Sequence, residues 1–378
     1  MSAPLLNPPQ RAAIHYLDGP LLVLAGAGSG KTRVITYKIA HLVREGGIPA
    51  RHIAAITFTN KAAREMLERV SKLMTPAEIR GITVSTFHSL GMHILRQEAP
   101  HLGYKTQFSI LDAYDAGKII ADILNTTSKD EIRKVQSQIS LWKNDLKTAD
   151  DMMVSADGQW ESVCARTYLA YQDTLTAYQA MDFDDLIRLP VQLFRTHPEV
   201  LLKWQGKLRY LLLDEYQDTN TCQYQMVKLL AGVRGLFTAV GDDDQSIYAW
   251  RGANMENLRL LQQDFPALKV IKLEQNYRST ARILRAANSV ISNNPKLFEK
   301  QLWSELGLGE PIHVVQCKDE EHEAETVVQR LLAHKFEHRT DFKDYAILYR
   351  GNYQARIFEQ SLRNQRIPYQ MAGGQSFF

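Results

Sequence analysis

The chain has 378 residues, more than one hydrophobic core usually supports, so two or three folding units are expected; 45% hydrophobic and 23% charged residues are ordinary values for a globular protein. A net charge of +3 is too near neutral to mark a nucleic-acid binder by itself, so any such surface must be local. Cys164, Cys222 and Cys317 lie far apart without a Cys-x-x-Cys pair, His334 and His338 have no third ligand nearby in sequence, and no apolar run approaches a membrane span. These features argue against zinc and against the membrane, and they make the cytoplasm the expected compartment.

Short apolar runs follow one another along the chain: LLVLA from 21, IAAITF from 53, ITVST from 82, YLLLDE from 210, LFTAVG from 236 and KVIKL from 269. Longer helical patterns separate them, which predicts a parallel sheet covered by helices on both faces, an α/β fold. Between about 90 and 205 the strand signal disappears and helical stretches such as YDAGKIIADIL take over, so an α-helical insertion is expected there, with KTADDMMVSADGQW, 147 to 160, as its loop. After 295 strand signals resume at IHVV, from 312, and YAILYR, from 345, on either side of a helical pattern, as at the start of a second α/β unit.

The strongest chemical signal is AGAGSGKT, 25 to 32, set between a strand and a helix. There Gly26, Gly28 and Gly30 let backbone N–H groups turn toward phosphate oxygens, Lys31 meets the terminal phosphates, and the Thr32 hydroxyl can ligate magnesium. Ala25 stands where such loops usually have their first glycine; a purely structural turn is the alternative. The strand LLLDEYQD then delivers two acids at its carboxyl end, Asp214 to hold Mg2+ and Glu215 to orient and deprotonate an attacking water, unless they are only a cap or a solvated edge.

GDDDQSIYAWRGA, 241 to 253, places Asp242, Asp243 and Asp244 together, where they repel one another unless solvent, hydrogen bonds or a cation relieves them. Gln245 can touch a γ-phosphate or the attacking water. Tyr248 and Trp250 either pack inside or stack on a base, and the neighbouring Arg251 and Gly252 favour stacking. Two further strand ends, TFTNKAAREM from 57 and STFHSLG from 85, offer Thr57, Thr59, Asn60, Ser85, Thr86 and His88 for sugar and phosphate, with Phe58 and Phe87 to stack or pack. For Thr59 and Ser85 a helix N-cap is an equal alternative. Lys61 and Arg64 add positive charge that Glu65 and Glu68 dilute.

Together LNPPQ, AGAGSGKTR, TFTNKAAREM, STFHSLG, MDFDDLI, LLLDEYQDTN, VGDDDQSIYAWRGA and LEQNYRST resemble, in order and along the whole chain, the superfamily 1 DNA helicases of the Rep/UvrD/PcrA type, the Rep branch above all. The resemblance implies a RecA-like P-loop core formed by 1–90 and 205–277, a helical inserted subdomain at 91–204, and the first part of a second RecA-like core at 278–378. It implies that Ala25, Gly26, Ala27, Gly28, Ser29, Gly30, Lys31, Thr32 and Arg33 bind ATP, that Gln10 reads adenine, that Tyr277 stacks on it, and that Arg278 reaches the γ-phosphate. Phe58, Tyr248, Trp250 and Arg251 would line a single-strand channel.

The implied activity is ATP- and Mg2+-dependent 3′ to 5′ translocation on single-stranded DNA and unwinding of 3′-tailed duplex, with replication or repair proteins as partners. The alternative is a nucleotide- and DNA-binding module without turnover. Members of the family continue past the motifs present here, so this chain by itself is expected to bind ATP but not to unwind duplex. Oligomeric state is not readable from the sequence.

Overall fold

The computed structural model describes residues 6–249, 252–295 and 297–371. The chain forms two compact units, Met1–Gly309 and Glu310–Phe378. In the first, six parallel strands make one sheet: β1 (Leu21–Ala25), β2 (Ile53–Thr57), β3 (Thr83–Thr86), β6 (Tyr210–Leu213), β7 (Phe237–Gly241) and β8 (Lys269–Leu273), in the spatial order β3-β2-β6-β7-β1-β8. All the pairings are parallel, so every strand ends at the same edge.

The reason the strands read as unbroken apolar runs is visible in their packing. Leu22 and Leu24 of β1, Ala54 and Ile56 of β2, and Leu211 and Leu213 of β6 point into one core. Leu21, Val23, Ala25, Ile53, Ala55, Tyr210 and Leu212 point into the other. Side chains alternate with a period of two, and because helices cover both faces neither set can be polar.

Lys38, on the helix Lys31–Arg44, is fully buried and donates to the carbonyls of Ala13 (2.7 Å) and Tyr16 (2.5 Å), fastening the end of the helix Pro8–His15. Burial pulls its ammonium down to about 7.

The helical region has its own core, with Ile120, Val135, Ile139, Trp142, Tyr168 and Tyr171 among its members. Two sequence expectations fail there. The segment 147–160 is not a loop: Ala149–Ser155 is a helix whose N-cap, Thr148, accepts from Asp151 N while Asp151 accepts from Thr148 N, a reciprocal cap that outweighs the acidic, aperiodic composition. The region also keeps a short parallel pair, β4 (Ser109–Ile110) with β5 (Ala180–Met181), too brief to leave a periodic signal.

Glu310–Phe378 contains the helices Glu320–His338 and Ala355–Asn364, with Val328, Leu362 and Ile367 buried together. The stretches 312–315 and 345–350 form no ladder among the described residues, contrary to the strand expectation; Val314 and Leu348 are over nine-tenths exposed. β-propensity alone does not make a strand where no neighbouring segment supplies hydrogen bonds.

Candidate nucleotide site and adjoining cleft

After β1 the chain turns tightly from Gly26 to Gly30. Ser29 donates both its N–H (3.2 Å) and its hydroxyl (2.7 Å) to the Gly26 carbonyl. Gly28 and Gly30 have φ of 73° and 92°, which side chains rarely adopt, and Gly30 is the residue from which the helix Lys31–Arg44 starts. Gln10, buried, donates to the Ser29 carbonyl at 2.9 Å and accepts from Asn7 N at 3.1 Å, so it is fixed against the loop.

Lys31 donates to the Glu215 carboxylate at 2.8 Å. Glu215 has a φ of 50°, a left-handed conformation that costs a residue with a side chain about 1–2 kcal/mol. Its neighbours hold it there: its N–H reaches Asp214 at 3.1 Å and its carboxylate also accepts from Gln217 at 2.9 Å. Asp214 is buried, and burial first, then the charge of Glu215, pushes its carboxyl up to about 6.

The Lys31–Glu215 bond brings their sequence neighbours Thr32 and Asp214 to the same edge of the sheet. A hydroxyl and a carboxylate are the hard oxygen donors Mg2+ prefers, and the desolvated charge of Asp214 is one a divalent ion would relieve. The donor types at these two positions suit Mg2+.

The network continues into the third strand end. Gln217 accepts from Asp242 N at 2.9 Å, and Gln245 donates to the Asp242 carboxylate. Gln245 is thus engaged with protein rather than aimed freely at a ligand. Lys300 supplies the cation that the acidic run requires, donating to Asp242 (2.5 Å), Asp243 and Asp244 (2.9 Å).

Beyond β8, Asn276 is buried. It donates to the Ala27 carbonyl at 2.5 Å while its own oxygen accepts from Arg278 N (2.8 Å) and Ser279 N (2.7 Å). Tyr277 N donates to the Gly28 carbonyl at 2.9 Å, and the Tyr277 hydroxyl accepts from Asn7 at 2.9 Å, leaving the ring partly exposed. Arg278 is exposed next to Gly28: a Cβ on Gly28 would come within 2.8 Å of Arg278 Cβ. The Arg33 guanidinium lies 5.7 Å from the Tyr37 ring.

A cleft of about 710 Å3 opens beside this edge. Phe58, Thr59, His88 and Tyr248 line it from the core, and Ser137, Ser140, Leu141 and Asn144 from the helical region. Phe58 packs edge-on to Phe87 at 5.8 Å, and Phe87 is buried. Thr59 and Thr86 both prove to be N-caps, accepting from Ala62 N (3.1 Å) and Ser89 N (3.2 Å), whereas the Ser85 hydroxyl is buried without a partner. Thr86 is buried and Asn60 exposed, and neither lines the cleft. Burial lowers His88 below the usual imidazole range. Trp250 and Arg251 lie outside the described residues.

Sequence reading missed Asn276, Gln217 and Lys300. Asn276 and Gln217 lie inside quoted motifs, so an amide amid strand-end residues was the available clue; Lys300 had none, because its partners are 56 or more positions away.

Residues 6–266 match the UvrD/REP helicase N-terminal domain, and 271–378 match the UvrD-like helicase C-terminal domain. The chain belongs to the UvrD/REP helicase family. Among relatives, it is 56% identical over 376 residues to the ATP-dependent DNA helicase Rep of Escherichia coli K12, covering 99% of this chain and 56% of that protein. The Rep helicase of Salmonella typhimurium is 55% identical over the same length, and the ATP-dependent DNA helicase PcrA of Staphylococcus aureus is 45% identical over 378 residues. The chain spans 56% of the two Rep proteins and 51% of PcrA. Family membership accords with the parallel sheet and P-loop edge of a RecA-like core. No helix among the described residues is long and apolar enough to cross a membrane.

Proposed function

We propose that this chain is the N-terminal portion of an ATP-dependent helicase that translocates 3′ to 5′ along single-stranded DNA and opens 3′-tailed duplex in replication or repair in the cytoplasm. The observation that carries the reading is the unbroken network Lys31–Glu215–Gln217–Asp242–Gln245, whose last loop runs on to Tyr248 in the cleft. In this reading 1–90 and 205–277 form the ATP-binding core, 91–204 the inserted subdomain and 278–378 the first part of the second core.

Residues 25–33 cradle the phosphates, Gln10 meets the adenine edge, and Tyr277 stacks on the ring. Lys31 is released from Glu215 to the terminal phosphates when nucleotide enters. Glu215 is then free to accept a proton from the attacking water, Gln245 senses the γ-phosphate, and Arg278 stabilises charge on it. Thr32 and Asp214 would hold Mg2+, which when bound neutralises phosphate charge. Phe58, Thr59, His88, Tyr248, Trp250 and Arg251 are the proposed DNA contacts, with Asn60 and Thr86 proposed only as backbone-positioning residues at the same strand ends; the aromatic rings grip bases, and the movement of the Asp242–Gln245 turn with nucleotide shifts that grip.

The deciding experiment is ATP hydrolysis with and without single-stranded DNA, beside a Glu215→Gln control. Stimulated turnover that the control loses supports the reading. Binding of ATP and DNA with no turnover above the control supports a module without catalysis.

A further inference from the structure

The turn after β7 holds three carboxylates whose oxygens lie within 4.8 Å of one another, and Asp242 and Asp243 are buried. Such a group is unstable unless a cation sits among its members. Lys300 fills that place: its side chain is only 3% exposed and its single ammonium reaches all three acids. Burial alone would lower this lysine, but the charge and hydrogen bonds of Asp242, with those of Asp243 and Asp244, hold it above its usual range.

Lys300 is also part of a short strap. Two residues on, Leu302 packs so closely on the phosphate loop that a Cβ on Gly26 would meet its methyl at 2.3 Å. Trp303 accepts from Asn276 N at 2.8 Å and donates to the Glu274 carbonyl at 3.1 Å. Four consecutive residues thus touch the acidic turn, the phosphate loop and the segment carrying Tyr277 and Arg278.

We propose that Lys300 is a positioning residue of the nucleotide site, an internal cation standing where a divalent ion would otherwise sit among Asp242, Asp243 and Asp244. By neutralising the turn it keeps the Asp242 carboxylate available to Gln245 and the Asp242 N–H on Gln217, and it leaves the divalent ion of the site to Thr32 and Asp214. The role in catalysis rests on the ATPase reading above; the ion replacement does not.

The test is a Mn2+ titration of nucleotide-free chain, followed by the resonance of free Mn2+, for the parent, Lys300→Met and Lys300→Arg, with thermal unfolding in Mn2+ and in chelator. Lys300→Met is expected to take up one further equivalent of Mn2+ at least about tenfold more tightly than the parent, and to be stabilised by it. Lys300→Arg, which keeps the charge, is expected to match the parent. A folded Lys300→Met that takes up no more Mn2+ than the parent overturns the proposal.

If Lys300→Met does not fold, the double variant Lys300→Met/Asp243→Asn decides: folding restored by removing one carboxylate supports the charge match, and failure of both overturns it. Affinity of the parent for a non-hydrolysable ATP analogue is measured alongside. Loss of that binding with the Mn2+ pattern intact would sink the ATPase reading alone, whereas the converse would sink the role of Lys300 alone.

Discussion

Lys31 and Glu215, 184 positions apart in sequence, meet in a 2.8 Å ion pair at the carboxyl edge of the sheet, where β1 and β6 flank β7. The lysine proposed to meet phosphate and the acid proposed to activate water are each other's partner. In the proposed reading, ATP would draw Lys31 away from Glu215 to its terminal phosphates and so free each for its proposed task.

Glu215→Gln is expected to lower ATP turnover by about 10²–10⁴-fold, the usual worth of a general base, while ATP affinity stays equal or rises because Lys31 loses a competing charge. Steady-state hydrolysis together with equilibrium binding of an ATP analogue checks both halves. Unchanged turnover would remove Glu215 from the chemistry.

Phe58→Ala and Tyr248→Ala are each expected to weaken binding of single-stranded DNA by roughly 1–3 kcal/mol, the range for loss of one base stack, with ATP affinity unaffected. Among the described residues that line it, the cleft holds Asp112, Asp182, Asp184 and Asp218, and Arg133 as its one Lys or Arg. Stacking and amide contacts, rather than neutralised phosphates, should then supply much of the grip. Fluorescence anisotropy with an oligothymidylate measures the effect, and unchanged affinity in both variants would dissociate the cleft from DNA.

Asp184 lines the cleft, and burial first, then the charge of Asp182, pushes its carboxyl up to about 6. A carboxyl raised on folding contributes stability that is fully present below its ordinary value near 4 and is lost as pH rises through about 6. Asp184→Asn, which keeps an oxygen for the amide of Asn144 that bonds it at 3.0 Å, is expected to stabilise the chain near pH 7.5 by about 1–3 kcal/mol and to flatten this pH dependence. Urea unfolding at pH 5 and pH 7.5 provides the comparison.

In the helical region Lys143 is fully buried between Asp182 (2.7 Å) and Asp185 (2.9 Å), and Asp185 also receives Arg188. Burial alone would raise Asp185; Lys143 and Arg188 hold it at about 2. Lys143→Met is expected to destabilise by about 3–5 kcal/mol, because it strips a cation from buried acids. Lys143→Met/Asp182→Asn should recover part of this in denaturant unfolding.

The sheet was legible because each buried strand writes a local apolar run, and the site was legible where a motif carries its own backbone geometry, as in Gly26 to Thr32. What escaped was held by tertiary contact. Nothing near Lys300 names Asp242 as its partner, and nothing in Asn276 says that it will close on Ala27. The helix at 149–155 was hidden behind acidic residues, although Thr148 and Asp151 spell its cap. The runs at 312 and 345 show the opposite case, strand composition that forms no ladder among the described residues.

One set of strand ends carries both the proposed nucleotide site and the adjoining cleft, and the proposed coupling is that occupancy of one alters the other. It is tested most directly by measuring oligothymidylate affinity of this chain with and without a saturating Mg2+–ATP analogue. A change of about fivefold or more, in the range of ordinary coupling between sites, is the predicted result. Identical affinities, with both ligands shown to bind, would contradict it.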